Sequence, residues 1–193
     1  MTQPTIVHVV RSLEVGGLEN GVVNLVNASG TRFDHVVVCA TTDGPLRERL
    51  HAGIRVVCLG RRPGRDLGAL MRLARLLRRL RPAAVHSRNW PTFDAVLAAR
   101  LAGVPVVIHG EHGREIADPE GRNPGRNRIR RALAPLVTRF VTVSRDLGRW
   151  LVEDVGIPGH KVTTILNGVD TGRFDGSRRD GARYPTRYAA LER

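Results

Sequence analysis

Three stretches, Ile6-Val7-His8-Val9-Val10, Gly16-Gly17-Leu18-Glu19 and Val36-Val37-Val38-Cys39, decide the fold. The first and last are short β-branched runs. Between them the glycine pair opens an apolar-periodic stretch from about Glu19 to Asn27. Strand, turn, helix and strand therefore follow one another within 40 residues. The alternation continues outward. Leu46 to Leu50 reads as a short helix behind the turn Asp43-Gly44-Pro45, and Ile54 to Leu59 as a third strand. Asp66 is placed to cap a long helix ending near Arg81-Pro82. Ala84-Val85-His86 is a fourth strand, followed by a helix over Thr92 to Leu101 that Gly103 stops. Val104-Pro105-Val106-Val107-Ile108 is a fifth strand, with Pro105 at its start, where a missing donor is tolerated. A polar, glycine-rich stretch from Gly113 to Asn127 reads as a mobile loop, and a basic helix spans about Arg128 to Val137. Phe140 to Val143, Asp146 to Val155 and Val162 to Ile165 complete the alternation as strand, helix and strand. There is no internal repeat. Strands joined through helices need crossover connections, so the expected class is α/β, a doubly wound parallel sheet with helices on both faces.

Composition agrees with one soluble domain. A chain of 193 residues with 41% hydrophobic residues can bury roughly 70% of its unfolded surface, enough to need no disulfide or metal. Cys39 and Cys58 sit inside apolar runs without metal-ligand spacing, so both read as buried free thiols and no metal site is expected. The N-terminus lacks the apolar core of a signal peptide, and no apolar run reaches the ~18 residues of a membrane span. A cytoplasmic location is the expectation. The net charge is +13, and Lys161 is the single lysine among 31 basic residues. Such a balance is either arginine at ordinary solvated positions or attraction to something anionic. The long helix carries Arg72, Arg75, Arg78 and Arg79 opposite its apolar stripe, which leaves open a peripheral place on the inner face of the cell membrane.

Residues that propensity does not explain fall directly after strands. Gly16-Gly17-Leu18-Glu19 follows the first, His86-Ser87-Arg88-Asn89 closes the fourth, His109-Gly110-Glu111-His112-Gly113 the fifth, and Ser144-Arg145 the sixth. In an open parallel sheet all such turns share the carboxyl edge, where ligands settle at the point of strand-order reversal. Four distant clusters would then line one crevice. Gly16 and Gly17 let backbone approach a phosphate at a helix N-terminus. They do not form the G-x-G-x-x-G dinucleotide pattern. His112 is placed to hydrogen-bond a sugar hydroxyl or a developing charge, with Glu111 as the carboxylate of the same turn.

Together these clusters resemble the N-terminal half of family 4 glycosyltransferases of the GT-B type, a Rossmann-like domain. The most specific stretch is Val141-Thr142-Val143-Ser144, then Ile157-Pro158, Lys161-Val162 and Asn167-Gly168-Val169-Asp170 with Arg173-Phe174. It is similar to the family's crossing from first domain to second. Residues 1–170 would form the first domain, and 171–193 the linker and start of an absent C-terminal half. Gly17-Leu18-Glu19-Asn20-Gly21 and Ile108-His109-Gly110-Glu111-His112-Gly113 look like transferases of the PEP-CTERM-associated exopolysaccharide type. The resemblance implies a retaining enzyme that needs no metal or other cofactor. It would move sugar from a nucleotide-diphosphate donor to a glycan or polyprenyl-linked acceptor. On that basis His112 is the catalytic candidate, and Gly16, Gly17 and Ser144 lie near the donor diphosphate. Glu19, His86, Arg88, Asn89, His109 and Glu111 shape the acceptor side, and Asn167, Gly168 and Asp170 belong to the linker. Many members carry His where Arg88 stands. The chain alone would show negligible transfer.

Two rival readings stand beside this one. One is a nucleic-acid-binding module built on Arg122, Arg126, Arg128, Arg130 and Arg131. Aromatic residues at 4% leave few stacking platforms, and nucleic acid is not an expected partner. The other is a non-catalytic fragment that docks on a membrane or a partner protein.

Overall fold

The computed structural model describes residues 3–168. Val169, Asp170, Arg173, Phe174 and the 171–193 segment lie outside the described residues. Seven parallel strands form one sheet: β1 (Thr5–Val10), β2 (Asp34–Cys39), β3 (Arg55–Cys58), β4 (Ala84–Arg88), β5 (Val106–Glu111), β6 (Arg139–Thr142) and β7 (Val162–Thr164). Their order is β3-β2-β1-β4-β5-β6-β7, so strand order reverses between β1 and β4. The helices are α1 (Gly17–Ser29), α2 (Leu67–Leu80), α3 (Ala95–Leu101), α4 (Pro124–Leu133) and α5 (Arg145–Glu153). The expected α/β class and Rossmann-like winding are those of the structure.

Crossover direction fixes which face each helix covers. The connections from β1 to β3 run one way along the sheet. Val22, Val23 and Val26 of α1, with Leu46 of the 3-10 turn Pro45–Arg49, pack on Val10, Val37 and Cys39. From β3 onward the chain runs the other way. Leu73 and Leu77 of α2, Val96 of α3 and Trp150 and Leu151 of α5 then cover Val7, Val9, Val85, Val107 and Phe140. Residues alternate between these faces along each strand.

Several boundaries differ from the periodicity. Asp66 caps α2 as expected, its carboxylate accepting from Ala69 N at 2.9 Å. β5 begins after Pro105 and runs on through His109, Gly110 and Glu111, which the sequence placed in a turn. The flanking strands decide this, because β4 reaches Arg88 and β6 reaches Thr142, offering ladder partners that outweigh poor strand propensity. α4 starts early, at Pro124, with Asn123 as its cap. The preceding stretch is no bare loop. Asp118 accepts from Arg122 N and Asn123 N, and Gly121 O accepts from Trp150 Nε1 and Asn127 Nδ2. Gly121 has φ +68°, and a Cβ there would meet Trp150 Nε1 at 2.5 Å. Cys39 is buried, but Cys58 is exposed, because β3 is the edge strand.

Candidate functional site

His8, His86, Arg88, Gly110 and His112 lie on one face of the sheet near the reversal point, brought together by the pairing of β1, β4 and β5. Gly110 is the hub. A Cβ there would meet His112 Nε2 at 2.8 Å and His86 Nε2 at 3.0 Å, so the two imidazoles converge on space that only glycine leaves free. Neither Nε2 has a hydrogen-bond partner among the described residues. His112 is held from behind: its backbone N–H donates to Asn89 Oδ1 at 2.7 Å, and Asn89 N donates to Gly110 O at 2.8 Å. Asn89 does this at φ +56° and ψ 170°, a region that is strained for any residue but glycine.

The hydrogen bonds also fix which ring nitrogens carry protons. Arginine only donates. Arg88 Nη2 lies 3.2 Å from both His8 Nδ1 and His86 Nδ1, and its two hydrogens suffice for one bond to each. Both rings are therefore protonated at Nε2. His8 Nε2 then donates to His35 Nδ1 at 3.0 Å, and His35 Nε2 donates to Ser29 Oγ at 2.9 Å. Ser29 Oγ ends the chain by donating to Leu25 O. His86 Nε2–H, by the same logic, is an unspent donor beside His112.

Charge is arranged unusually around these rings. Arg88 is 3% exposed, and burial lowers its pKa to about 9, so it remains charged at neutral pH. Among the described residues no carboxylate forms an ion pair with it. Burial first, and Arg88 second, hold His8 and His86 well below the ordinary histidine value. His112 is lowered to about 4 by burial, then by Arg88 and His109, against an opposing pull from Glu111. The imidazoles beside Gly110 are neutral at pH 7, with a positive charge behind them, and their Nε2 atoms are buried. Among the described residues no three His, Cys, Asp or Glu side chains gather to hold a metal.

His109 and Glu111 depart from their expected place. Strand alternation turns both to the opposite face, where they are 0% and 1% exposed. His109 Nδ1 lies 2.9 Å from Ser87 Oγ, and its ring packs edge-on against Phe93. Glu111 accepts from Arg130 Nε at 2.8 Å, with His109 Nε2 3.4 Å from the same oxygen. Burial pushes the Glu111 carboxyl up, but His109 and Arg130 beside it prevail and hold it below its ordinary value. The Arg130 guanidinium sits 5.0 Å from each of the Trp90 and Trp150 rings. This is a supporting cluster beneath the crevice, and neither side chain reaches the acceptor side.

The remaining positions fall on the rim. Gly16 precedes α1, and a Cβ there would meet only the movable end of Glu19, while one on Gly17 would meet nothing within 4 Å. The first turn of α1 is thus open to a ligand. Ser144 caps α5, its Oγ accepting from Leu147 N at 3.1 Å. Asn167 and Gly168 follow β7 at the same edge and are exposed. The sequence did not single out His8, His35 or Gly110 as site residues, and Arg130 entered only as part of a basic run. A histidine inside an otherwise aliphatic strand was the available signal for His8.

Arginine engagement bears on the rivals. Arg72 bonds Leu59 O and pairs with Asp66, and Arg78 bonds Leu101 O. In the second basic run Arg122 pairs with Glu120, Arg130 with Glu111, and Arg131 bonds Val155 O. These side chains point to different partners and form no single stripe. Among the described residues no helix is long and apolar enough to cross a membrane.

The sequence matches the family described as Glycosyltransferase Family 4 over residues 15–173. A relative from Escherichia coli, UDP-Gal:alpha-D-GlcNAc-diphosphoundecaprenol alpha-1,3-galactosyltransferase, is 27% identical over 74% of this chain and 39% of its own. The crystal structure of Anabaena HepE in complex with UDP and glucose superposes with a TM-score of 0.69 at 17% identity, covering 88% of this chain and 46% of that one. A glycosyltransferase from Rickettsia africae superposes with a TM-score of 0.63 at 17% identity, covering 92% and 46%. The chain thus spans less than half the length of each. The structural likenesses show the fold, that of one half of a GT-B protein, and the family match over most of the sequence places this chain in glycosyltransferase family 4.

Proposed function

We propose that this domain forms the acceptor-side wall of a sugar-transfer crevice. Its partners would be a nucleotide-diphosphate sugar and a glycan or polyprenyl-linked acceptor, within exopolysaccharide or cell-envelope synthesis. The observation that carries this reading is the convergence of His86 and His112 over Gly110, at the carboxyl edge and beside the strand-order reversal. His86 offers a proton at Nε2, and His112 offers a neutral ring whose backbone is pinned by Asn89. Such a pair can hold a sugar hydroxyl in fixed orientation. The buried Arg88 behind it favours negative charge building on a leaving phosphate without neutralising it by contact. The open first turn of α1 suits a diphosphate. Transfer with retention and without metal accords with a site built from imidazoles and backbone.

The E. coli relative acts on a diphosphoundecaprenol-linked sugar, which favours a lipid-linked acceptor here. Anabaena HepE was crystallised with UDP and glucose, which favours a UDP-sugar donor. The described residues supply one crevice wall, so these 193 residues should bind substrate weakly and transfer little sugar; robust transfer by them would refute the two-walled scheme. Titration with UDP-glucose or UDP-galactose, followed by NMR, should move the signals of Gly17, His86 and His112. Shifts confined to the amino edge of the sheet, or none at millimolar ligand, would reject the site.

A further inference from the structure

A hollow opens at the carboxyl edge, and His86, Gly110 and His112 do not line it. It has a volume of ≈ 360 Å³ and is lined by Arg11, Thr41, Arg62, Trp90, Glu115 and Arg126. Arg11 follows β1, Thr41 follows β2, Arg62 follows β3, Trp90 follows β4 and Glu115 follows β5, so the sheet itself assembles it. Arg61 also lines the hollow, but Asp94 and Pro91 O engage it. Arg126 lies over the Trp90 ring at 5.5 Å and keeps a buried Nη1 with no partner among the described residues. Against these cations stands one carboxylate, Glu115. The surplus is positive.

Arg61, Gly64, Trp90 and Pro91 also line a neighbouring groove of ≈ 530 Å³. Its other walls are mostly apolar, Leu67 and Leu70 from α2, Phe93 and Leu97 from the α3 side, Ile129 and Leu133 from α4, together with Arg65 and the carboxylates of Asp66 and Asp94, which pair with Arg72 and Arg61. Leu67 is 75% exposed and Ile129 40%. The groove falls within the roughly 300–1,000 Å³ of small-ligand sites. A guanidinium-lined hollow that continues into an apolar trough has the complementarity of an amphiphile with a doubly charged head and a hydrocarbon tail. Arginine forks match phosphate oxygens in pairs.

We propose that this paired hollow and groove seat a polyprenyl diphosphate, with the diphosphate between Arg11, Arg62 and Arg126 and the first isoprene units along Leu67, Phe93 and Ile129. This rests on the lipid-linked reading of the acceptor and assigns that acceptor's head and tail to named residues. Trp90 separates the two parts and reports on both.

Binding to the 193-residue chain tests the assignment without any sugar transfer. Three probes are titrated by Trp fluorescence and calorimetry: farnesyl diphosphate, inorganic pyrophosphate and UDP. Farnesyl diphosphate should bind about tenfold or more tighter than pyrophosphate, by burial of its chain. Arg62→Gln and Arg126→Gln should each weaken both probes about 5- to 10-fold. Glu115→Gln should tighten both, and Leu67→Ser should weaken farnesyl diphosphate alone. Arg11 and Arg62 are exposed, so Arg11→Gln and Arg62→Gln keep the fold even where Arg126→Gln does not. Equal affinity for farnesyl diphosphate and pyrophosphate overturns the proposal. So does UDP binding with the same arginine dependence and no advantage for the prenyl chain, which would make the hollow a nucleotide site. Indifference of farnesyl diphosphate to all of these substitutions also overturns it, while transfer to a lipid acceptor could still stand. Binding as proposed leaves this site in place even where the acceptor proves to be a free glycan.

Discussion

The end of β5 sends alternate side chains into two different settings. Gly110 and His112 face the crevice, where both nearby imidazoles keep an unpartnered nitrogen. His109 and Glu111, their immediate neighbours, face the helices and are closed in by Ser87, Arg130, Phe93 and Phe140. On the helix side a buried charge has its counter-charge at 2.8 Å, whereas the buried Arg88 has none among the described residues. The helix-side cluster balances its own charge, although His109 Nε2, 3.4 Å from Glu111 Oε1, makes no hydrogen bond among the described residues. A cluster that leaves a buried charge unbalanced beside unpartnered ring nitrogens is prepared for something that is not part of the chain.

The largest effect that would break this contrast belongs to Glu111. Replacing it with alanine leaves Arg130 charged and buried between two indoles, and a broken buried pair costs about 3–5 kcal/mol. Urea denaturation should show that loss. A change below about 1 kcal/mol would mean that the pair is not the prop described here.

Gly110→Ala comes next and acts on the other face. Its Cβ would enter the space held by His86 Nε2 and His112 Nε2, so both rings must move. Overpacking of this kind costs about 1–3 kcal/mol. The sharper readout is ligand binding, because response of the His112 signal to UDP-sugar should vanish while the chain stays folded. An unchanged response would separate the two histidines from the crevice.

Acid should reveal the crevice histidines as a group. His8, His86 and His112 all have folded pKa values below the unfolded value of about 6.5. The unfolded chain therefore takes up protons first, and stability falls as pH drops below about 7, continuing toward about 4 for His112. His112→Ala should shrink the stability difference between pH 7 and pH 5 by about 1–2 kcal/mol, after allowance for its partial exposure. Equal pH dependence in the two proteins would place His112 outside that group.

The fold was legible because β-branched runs and amphipathic helices alternate with few interruptions, and the reversal point follows from the crossovers. The meeting of His86, Arg88 and His112 near the carboxyl edge was legible too, from polar residues clustered behind strands. Face assignment was not. It depends on where β5 stops, and His109-Gly110-Glu111 carries turn-like residues that pairing with β4 and β6 converts to strand. Once those residues are in the ladder, alternation hides Glu111 and presents Gly110. Cys58 was misjudged for a related reason, since a run of Val-Val-Cys does not say that its strand lies at the sheet's edge. The bond from Arg88 to His8 spans 80 residues, and local pattern carries no trace of it.

The smallest expected effect on stability is at Arg88, and it discriminates most finely between the two faces. Arg88 has no counter-ion among the described residues, so replacing it with methionine removes a desolvated charge rather than a pair. Stability should stay within about 1 kcal/mol of the parent or rise, in contrast to Glu111→Ala. The chemistry of the rings should change even so. Without a donor at Nδ1, His8 and His86 are free to take either tautomer, and loss of the nearby cation raises the pKa of His86 toward its ordinary value. Nitrogen-15 spectra of the histidines at pH 7 should show Nε2-protonated rings for both residues in the parent and mixed tautomers in the variant. A parent His86 protonated at Nδ1 would reverse the direction of the donor offered to the crevice. Arg88 would then be a structural residue of the same kind as Arg130.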